Sequence, residues 1–264
     1  MLISSVPYNR DHHRIPHNRK SFSRAQVMTV LDRPLQCIRK FFQIVAASLL
    51  ITMFLSSYAV TAEKDWPVVY KTDFENGADD WLPTDDAAWK LRKAKKGTVY
   101  SQFVKRSKYE PPHRSPYNIS LLKTPIVGSF QLDVDVLSTH EDYGHRDCCL
   151  FFGYQNPAKF YYVHLGKKTD DHANQIFIVN DKPRTKISTK TTEGTNWDAE
   201  WHHVRIIRNA ETGHIRVYFD DMDTPIMEAV NKAFTHGQVG LGSFDDTGDW
   251  DNLILRGELK QSKK

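Results

Sequence analysis

The chain has 264 residues, 40% hydrophobic, 12% aromatic and 26% charged, which excludes a disordered polymer and leaves room for one large or two small domains. Three cysteines exclude a disulfide-stapled miniprotein, and 13 Gly with 12 Pro exclude collagen-like and low-complexity chains. The net charge of +4 is uneven: residues 1–40 hold eight Lys and Arg against Asp11 and Asp32, and 41–62 hold no charge, so the remainder is slightly acidic and lacks the footprint of a nucleic-acid binder.

Arg39-Lys40 precedes an uncharged stretch whose apolar heart, 44–55, exits through Ser56-Ser57-Tyr58 to Ala59-Val60-Thr61-Ala62. A basic flank, a short apolar core and a small-residue exit describe a secretory signal peptide. The alternative is an uncleaved N-terminal apolar helix, since 41–60 is about the length that spans a bilayer. Residues 1–62 are therefore read as a basic extension plus signal peptide, with its apolar region at about 41–58. Met28 offers an internal start. The expectation is export, periplasmic or secreted, with a mature chain starting near Glu63 and no membrane contact beyond this segment. Cys37 leaves with the presequence, and adjacent Cys148 and Cys149 point to opposite faces of a strand, unsuited to pair.

From residue 63 to 258 the pattern predicts strand after strand, in one domain with a polar tail at 259–264. The predicted strands are 68–74, 89–93, 99–103, 119–123, 130–136, 147–154, 160–166, 175–180, 203–207, 215–220, 239–244 and 250–255. Phe130, Leu132, Val134 and Val136 alternate with Gln131, Asp133 and Asp135, the period of a half-buried strand. Turn signals separate the strands, among them Glu75-Asn76-Gly77, Gln155-Asn156-Pro157, Asn180-Asp181-Lys182-Pro183 and Glu211-Thr212-Gly213. Asn118-Ile119-Ser120 is a glycosylation sequon by pattern. About a dozen short strands and no sustained helical period predict an all-β sandwich.

Three segments carry a family resemblance. Trp201-His202-His203-Val204 leads through Gly213 to Val217-Tyr218-Phe219-Asp220, the ending runs Gly237-Gln238-Val239-Gly240-Leu241-Gly242 to Trp250-Asp251-Asn252, and the opening is Asp73-Phe74-Glu75-Asn76-Gly77 with Trp81. These resemble the hairpin, closing strands and first strand of concanavalin A-like jelly rolls. Within that superfamily they are most similar to exported bacterial domains of the 3-keto-disaccharide hydrolase type, related to family 16 glycoside hydrolases. The resemblance implies a jelly-roll sandwich of two antiparallel sheets. It also implies a carbohydrate partner, oligo- or polysaccharide, in a concave groove, with a glycosidic-bond hydrolase as the first reading. A non-catalytic glycan-binding module, lectin-like or laminin-G-like, is the alternative. The family 16 catalytic motif E-x-D-x-x-E is not present. In such jelly rolls the turn after the first strand and the last strand often share a structural Ca2+, which implies Glu75, Gly77 (through its carbonyl) and Asp251 as ligands, hard oxygens of the kind calcium prefers.

The densest chemistry lies in 139–147, in 160–167 and in Asp170-Asp171-His172. His164 or Asp147 is the expected catalytic acid–base group. Arg146, Tyr162, Tyr154 and His145 are the expected substrate contacts. Alternation puts Phe160, Tyr162 and His164 on one strand face, which faces either a groove or the core, and it puts Arg146 and Asp147 on opposite faces. Two further readings are open. Asp133 and Asp135 are an i, i+2 carboxylate pair on one strand, either catalytic or a solvated outer face. His140, Asp142, His145 and Asp147 either hold a metal or form a polar loop.

Overall fold

The computed structural model describes residues 65–95 and 97–261. The signal peptide, the Met28 start, Cys37 and the mature N-terminus at Glu63 lie outside the described residues. The first half of the fold contains strands β1 (Val68–Thr72), β2 (Trp81–Pro83), β3 (Trp89–Ala94), β4 (Gly97–Gln102), β5 (Asn118–Leu122), β6 (Val127–Ser138), β7 (Asp147–Asn156) and β8 (Lys159–Gly166). The second half adds β9 (Gln175–Asn180), β10 (Thr185–Lys186), β11 (Ser188–Thr191), β12 (His202–Arg208), β13 (His214–Phe219), β14 (Met227–Val230), β15 (Gln238–Ser243) and β16 (Gly248–Leu259).

Two antiparallel sheets result. The first runs β11-β14-β13-β12-β6-β16-β4-β3 with β1 on β16, and the second runs β10-β9-β8-β7-β15-β5-β2. This is the layered all-β sandwich that the alternating pattern predicted, two antiparallel sheets packed face to face. Each predicted strand is present. The four strands absent from the sequence reading, β2, β10, β11 and β14, have only two to four residues each. A period of two needs a longer run to be legible. No helix among the described residues is long and apolar enough to cross a membrane.

The inner faces meet in one large cluster. Leu132, Val134 and Val136 of β6 and Val204 and Ile206 of β12 pack there with Leu150 and Phe152 of β7, Tyr161, Val163 and Leu165 of β8, and Trp250. Burying such side chains contributes about 1.5–3 kcal/mol each and holds the layers together. The closing-strand glycines have a steric reason. A Cβ on Gly240 would lie 2.8 Å from the Ser120 carbonyl oxygen and one on Gly242 only 1.9 Å from that of Asn118, so β15 approaches β5 more closely than a side chain permits.

Asn118 itself is fully buried. Its Oδ1 accepts the Ser107 amide at 3.0 Å, and its Nδ2 donates to the Lys105 carbonyl at 2.8 Å and to Ser243 Oγ at 3.0 Å. The sequon is thus a structural clamp whose side-chain amide is engaged on both atoms in the folded protein.

Candidate functional site

The second sheet has an unusual outer face. The alternation that sends Leu150 and Val163 inward sends Cys149 and Phe151 of β7, Phe160 and Tyr162 of β8, and Phe177 and Val179 of β9 outward. There they form a second buried apolar cluster with Ile119, Leu121 and Tyr154. Tyr109, from the long connection between β4 and β5, packs against it. Of the two orientations open for Phe160 and Tyr162, the structure adopts the buried one. Stacked pairs such as Tyr162–Phe177, 5.1 Å between centroids, fill the space that an open groove would occupy.

The cluster ends where β7 begins and β8 finishes, and there a cavity of about 230 Å³ opens. Its wall comprises Arg114, Tyr143, His145, Asp147, His164, His172, Arg184, Phe244 and Asp245. Strand register brings its buried acids and bases together. His164 lies directly opposite Cys149 in the β7–β8 ladder, and Asp147 is two residues before Cys149 on the same face. His164 Nε2 is consequently 3.5 Å from Asp147 Oδ2.

Two aspartates stitch this corner. Asp147 Oδ1 accepts the Phe244 amide at 2.8 Å, and Asp246 Oδ2 accepts the Asp147 amide at 2.8 Å and the Tyr143 hydroxyl at 3.0 Å. Burial, reinforced by the neighbouring Asp246 charge, pushes the Asp147 carboxyl well above the usual range. Burial and the positive charge of Arg184 hold His164 down at about 3, so its ring is neutral. Burial pushes the Tyr143 phenol up, and its hydrogen bond to Asp246 pushes the same way.

Arg184 gives the cavity its character. Its guanidinium lies 4.2 Å from the centroid of Phe244 and 4.7 Å from that of Phe177, and it donates to the Tyr162 hydroxyl at 2.9 Å. The Arg184 amide also donates to the Arg114 carbonyl at 3.1 Å, which couples the two arginines through the backbone.

Of the residues expected from sequence, Asp147, His164 and His145 line the cavity. His145 is exposed and pairs with Asp170 at 3.0 Å. Arg146, Tyr162 and Tyr154 do not line it. Arg146 turns to the other face and joins the two sheets, donating through Nε to Ser138 Oγ at 2.8 Å and through one terminal nitrogen to the carbonyls of Ser138 at 2.7 Å and Asp198 at 2.6 Å. Tyr162 is fully buried and acts through Arg184, while Tyr154 is buried against Phe160. Arg114, Tyr143, His172, Arg184, Phe244 and Asp245 complete the wall beyond the residues expected. Their signal was weak: Arg184 follows an ordinary turn, and Phe244-Asp245 reads as the tail of a glycine-rich strand.

Asp133 and Asp135 lie on the outer face of the first sheet. Asp133 accepts from Arg205 at 2.6 Å, Gln131 at 2.7 Å, and His203 and Arg256 at 3.2 Å each, while His203 Nδ1 is 2.7 Å from Asp135. The pair is on the outer face as the second alternative had it, but it is not solvated as expected: Asp133 is buried inside an ion network and only Asp135 is partly exposed.

For metals, the described residues bring donor atoms within 4.8 Å of one another in two groups, Asp147–Cys149–His164 and Asp147–Asp245–Asp246. His164 argues against the first. Its Nδ1 accepts the Asn174 amide at 3.3 Å, so the proton of the neutral ring sits on Nε2, facing Asp147, and that nitrogen has no lone pair for a metal. His140, Asp142 and His145 disperse, to Asp246, Lys167 and Asp170 respectively.

At the expected calcium position the chemistry fits in part. Burial pushes the Asp251 carboxyl up, and the charges of Asp135, Asp73 and Glu75 add to the effect, the crowding of hard oxygens that a divalent cation relieves. Both oxygens of Glu75 are already held, one by the Thr98 amide and the other by the Thr98 hydroxyl at 2.9 Å.

No family model matches the sequence, and no curated protein matches it. Solved structures do share its outline. A carbohydrate binding module, CBM66, from Bacillus subtilis is 14% identical with a TM-score of 0.49, over 67% of this chain and 96% of its own. Winged bean acidic lectin, solved with methyl-α-D-galactose, is 14% identical with a TM-score of 0.49, over 73% of this chain and 98% of its own. The GH43 protein BlXynB from Bacillus licheniformis is 10% identical with a TM-score of 0.48, over 74% of this chain and 40% of its own. At such identities and scores these proteins lend this chain no function.

Proposed function

We propose that the cavity binds the end of a carbohydrate chain and that the protein is a glycan-binding module. The observation that carries this reading is the wall itself. A planar guanidinium, Arg184, rests on the Phe244 ring, and Arg114, Tyr143, His145, His172 and Asp245 surround it. Sugars present hydroxyls to such polar groups and an apolar ring face to an aromatic surface. A volume of about 230 Å³ is smaller than the ~300–1,000 Å³ of drug-sized sites, so it suits a single ring. Isothermal titration with oligosaccharides tests the reading. Binding that is lost in Arg184→Ala, with the melting temperature retained, supports it; no binding to any glycan rejects it.

A second reading, hydrolysis of a glycosidic bond as in 3-keto-disaccharide hydrolases, draws on one observation. Asp147, whose carboxyl burial pushes well above the usual range, shares the cavity wall with a second carboxylate, Asp245, and a raised acid beside a carboxylate is the pairing that glycosidases use. Against it, the side chains of Asp147 and His164 are only 2% and 4% exposed, which leaves an acid little access to a substrate oxygen. Release of new reducing ends by the wild type and its loss in Asp147→Asn would favour the enzyme. Export from the cytoplasm and a structural Ca2+ at Glu75, Gly77 and Asp251 are parts of the same proposal.

A further inference from the structure

We infer that the cavity selects a sugar bearing an oxyanion, a carboxylate or a sulfate, and that Arg184 and Arg114 bind it. This rests on the carbohydrate reading above and names the class of sugar. The first observation is that neither arginine makes an ion pair with any described residue, although Asp147 and Asp245 share the cavity wall with them. Nearby basic side chains do pair: His145 with Asp170 at 3.0 Å, Arg146 with Asp142 at 3.8 Å and Lys186 with Asp171 at 2.6 Å. Of the two carboxylates in the cavity wall, Asp245 pairs with neither arginine, and Asp147 is engaged by its own corner. Asp147 takes the Phe244 amide, and Asp246 takes Tyr143 and the Asp147 amide.

The second observation is that Arg184 is held in place without being neutralised. Two rings clamp its plane and the Tyr162 hydroxyl fixes one terminal nitrogen. Tyr162 is wholly buried, so its only polar group serves this arginine. A guanidinium has five N–H donors in a rigid fork, and this one uses a single donor on the protein. The geometry that remains matches a planar carboxylate or a tetrahedral sulfate, which takes two parallel hydrogen bonds. Arg114, exposed across the Phe244 ring at 5.7 Å, adds a second positive charge at the mouth. A neutral sugar would leave the remaining fork donors of Arg184 without a charged partner.

The test is calorimetric titration of the full chain with three sets of oligosaccharides of equal length: uronic-acid-terminated, sulfated and neutral. The expected result is binding of one acidic set at least about tenfold tighter than the neutral set, a preference that weakens from low to high salt. The acidic set that binds distinguishes carboxylate from sulfate. Arg184→Gln removes the preference. Tyr162→Phe, which leaves the charge and frees the fork, reduces affinity with a smaller loss. If Arg184→Gln does not fold, Arg114→Gln, at an exposed position, carries the same test. Equal or tighter binding of neutral sugars overturns the inference and leaves the carbohydrate reading standing. Absence of binding to all three sets overturns the carbohydrate reading itself. Acidic binding that survives both arginine substitutions places the oxyanion elsewhere and overturns the assignment.

Discussion

Arg146 and Asp147 are neighbours in the chain that serve opposite sides of one sheet. Asp147 closes the cavity corner by accepting the Phe244 amide, while Arg146 reaches the other way to the Ser138 hydroxyl and to the Ser138 and Asp198 carbonyls. One residue therefore shapes the site and the next ties the first sheet to the second. Substitution separates the two roles.

Arg146→Ala should destabilise the fold by about 2–3 kcal/mol, because it strips charge-assisted bonds from buried acceptors. Glycan affinity of the folded fraction should be unchanged. Urea unfolding read alongside titration checks both; a loss of affinity at unchanged stability would put Arg146 in the site.

Asn118→Ala should cost about 1–3 kcal/mol by orphaning the Ser107 amide and the Lys105 carbonyl. The folded protein should resist N-glycosylation at Asn118 in a host that modifies such sequons. Mass spectrometry of material from a eukaryotic secretion host measures the occupancy directly.

His203 gives the protein an alkaline limb. Its hydrogen bonds to Asp133 and Asp135 raise it from 6.5 to about 9. A base that gains protons on folding stabilises the fold fully below pH 6.5, and this stabilisation is lost as pH rises through about 9. The melting temperature should fall across that window, and His203→Gln should flatten the fall. Equal slopes for the two proteins would assign the alkaline limb to other groups.

If Ca2+ occupies the corner around Asp251, chelation should lower the melting temperature and added calcium should restore it, since binding to the folded state alone stabilises by mass action. Asp251→Ala should abolish the response. A melting curve indifferent to both calcium and chelator removes this part of the proposal.

The strands were legible because burial on one face imposes a period of two, as in 130–136, and the long apolar runs of β7 and β8 marked strands covered on both sides. What covers them was not legible. Tyr162 reads the same whether a ring, a sugar or a loop lies above it, and only the path of the connection after β4 decides. The sequence reading placed Asp147 and His164 together because both ends of a hairpin were in view. Arg184 escaped it because a side chain that acts across strands, over Phe177 and Phe244, leaves no periodic trace along its own segment.

Cys148 and Cys149 are both free and fully buried, yet they belong to different layers: Cys148 to the cluster between the sheets and Cys149 to the cluster on the outer face of the second sheet. The molecule thus carries two chemical clocks at consecutive positions. An alkylating reagent reaches Cys149 when the outer covering lifts and reaches Cys148 only when the sandwich itself parts. Comparing their modification rates resolves two openings that a single melting temperature merges.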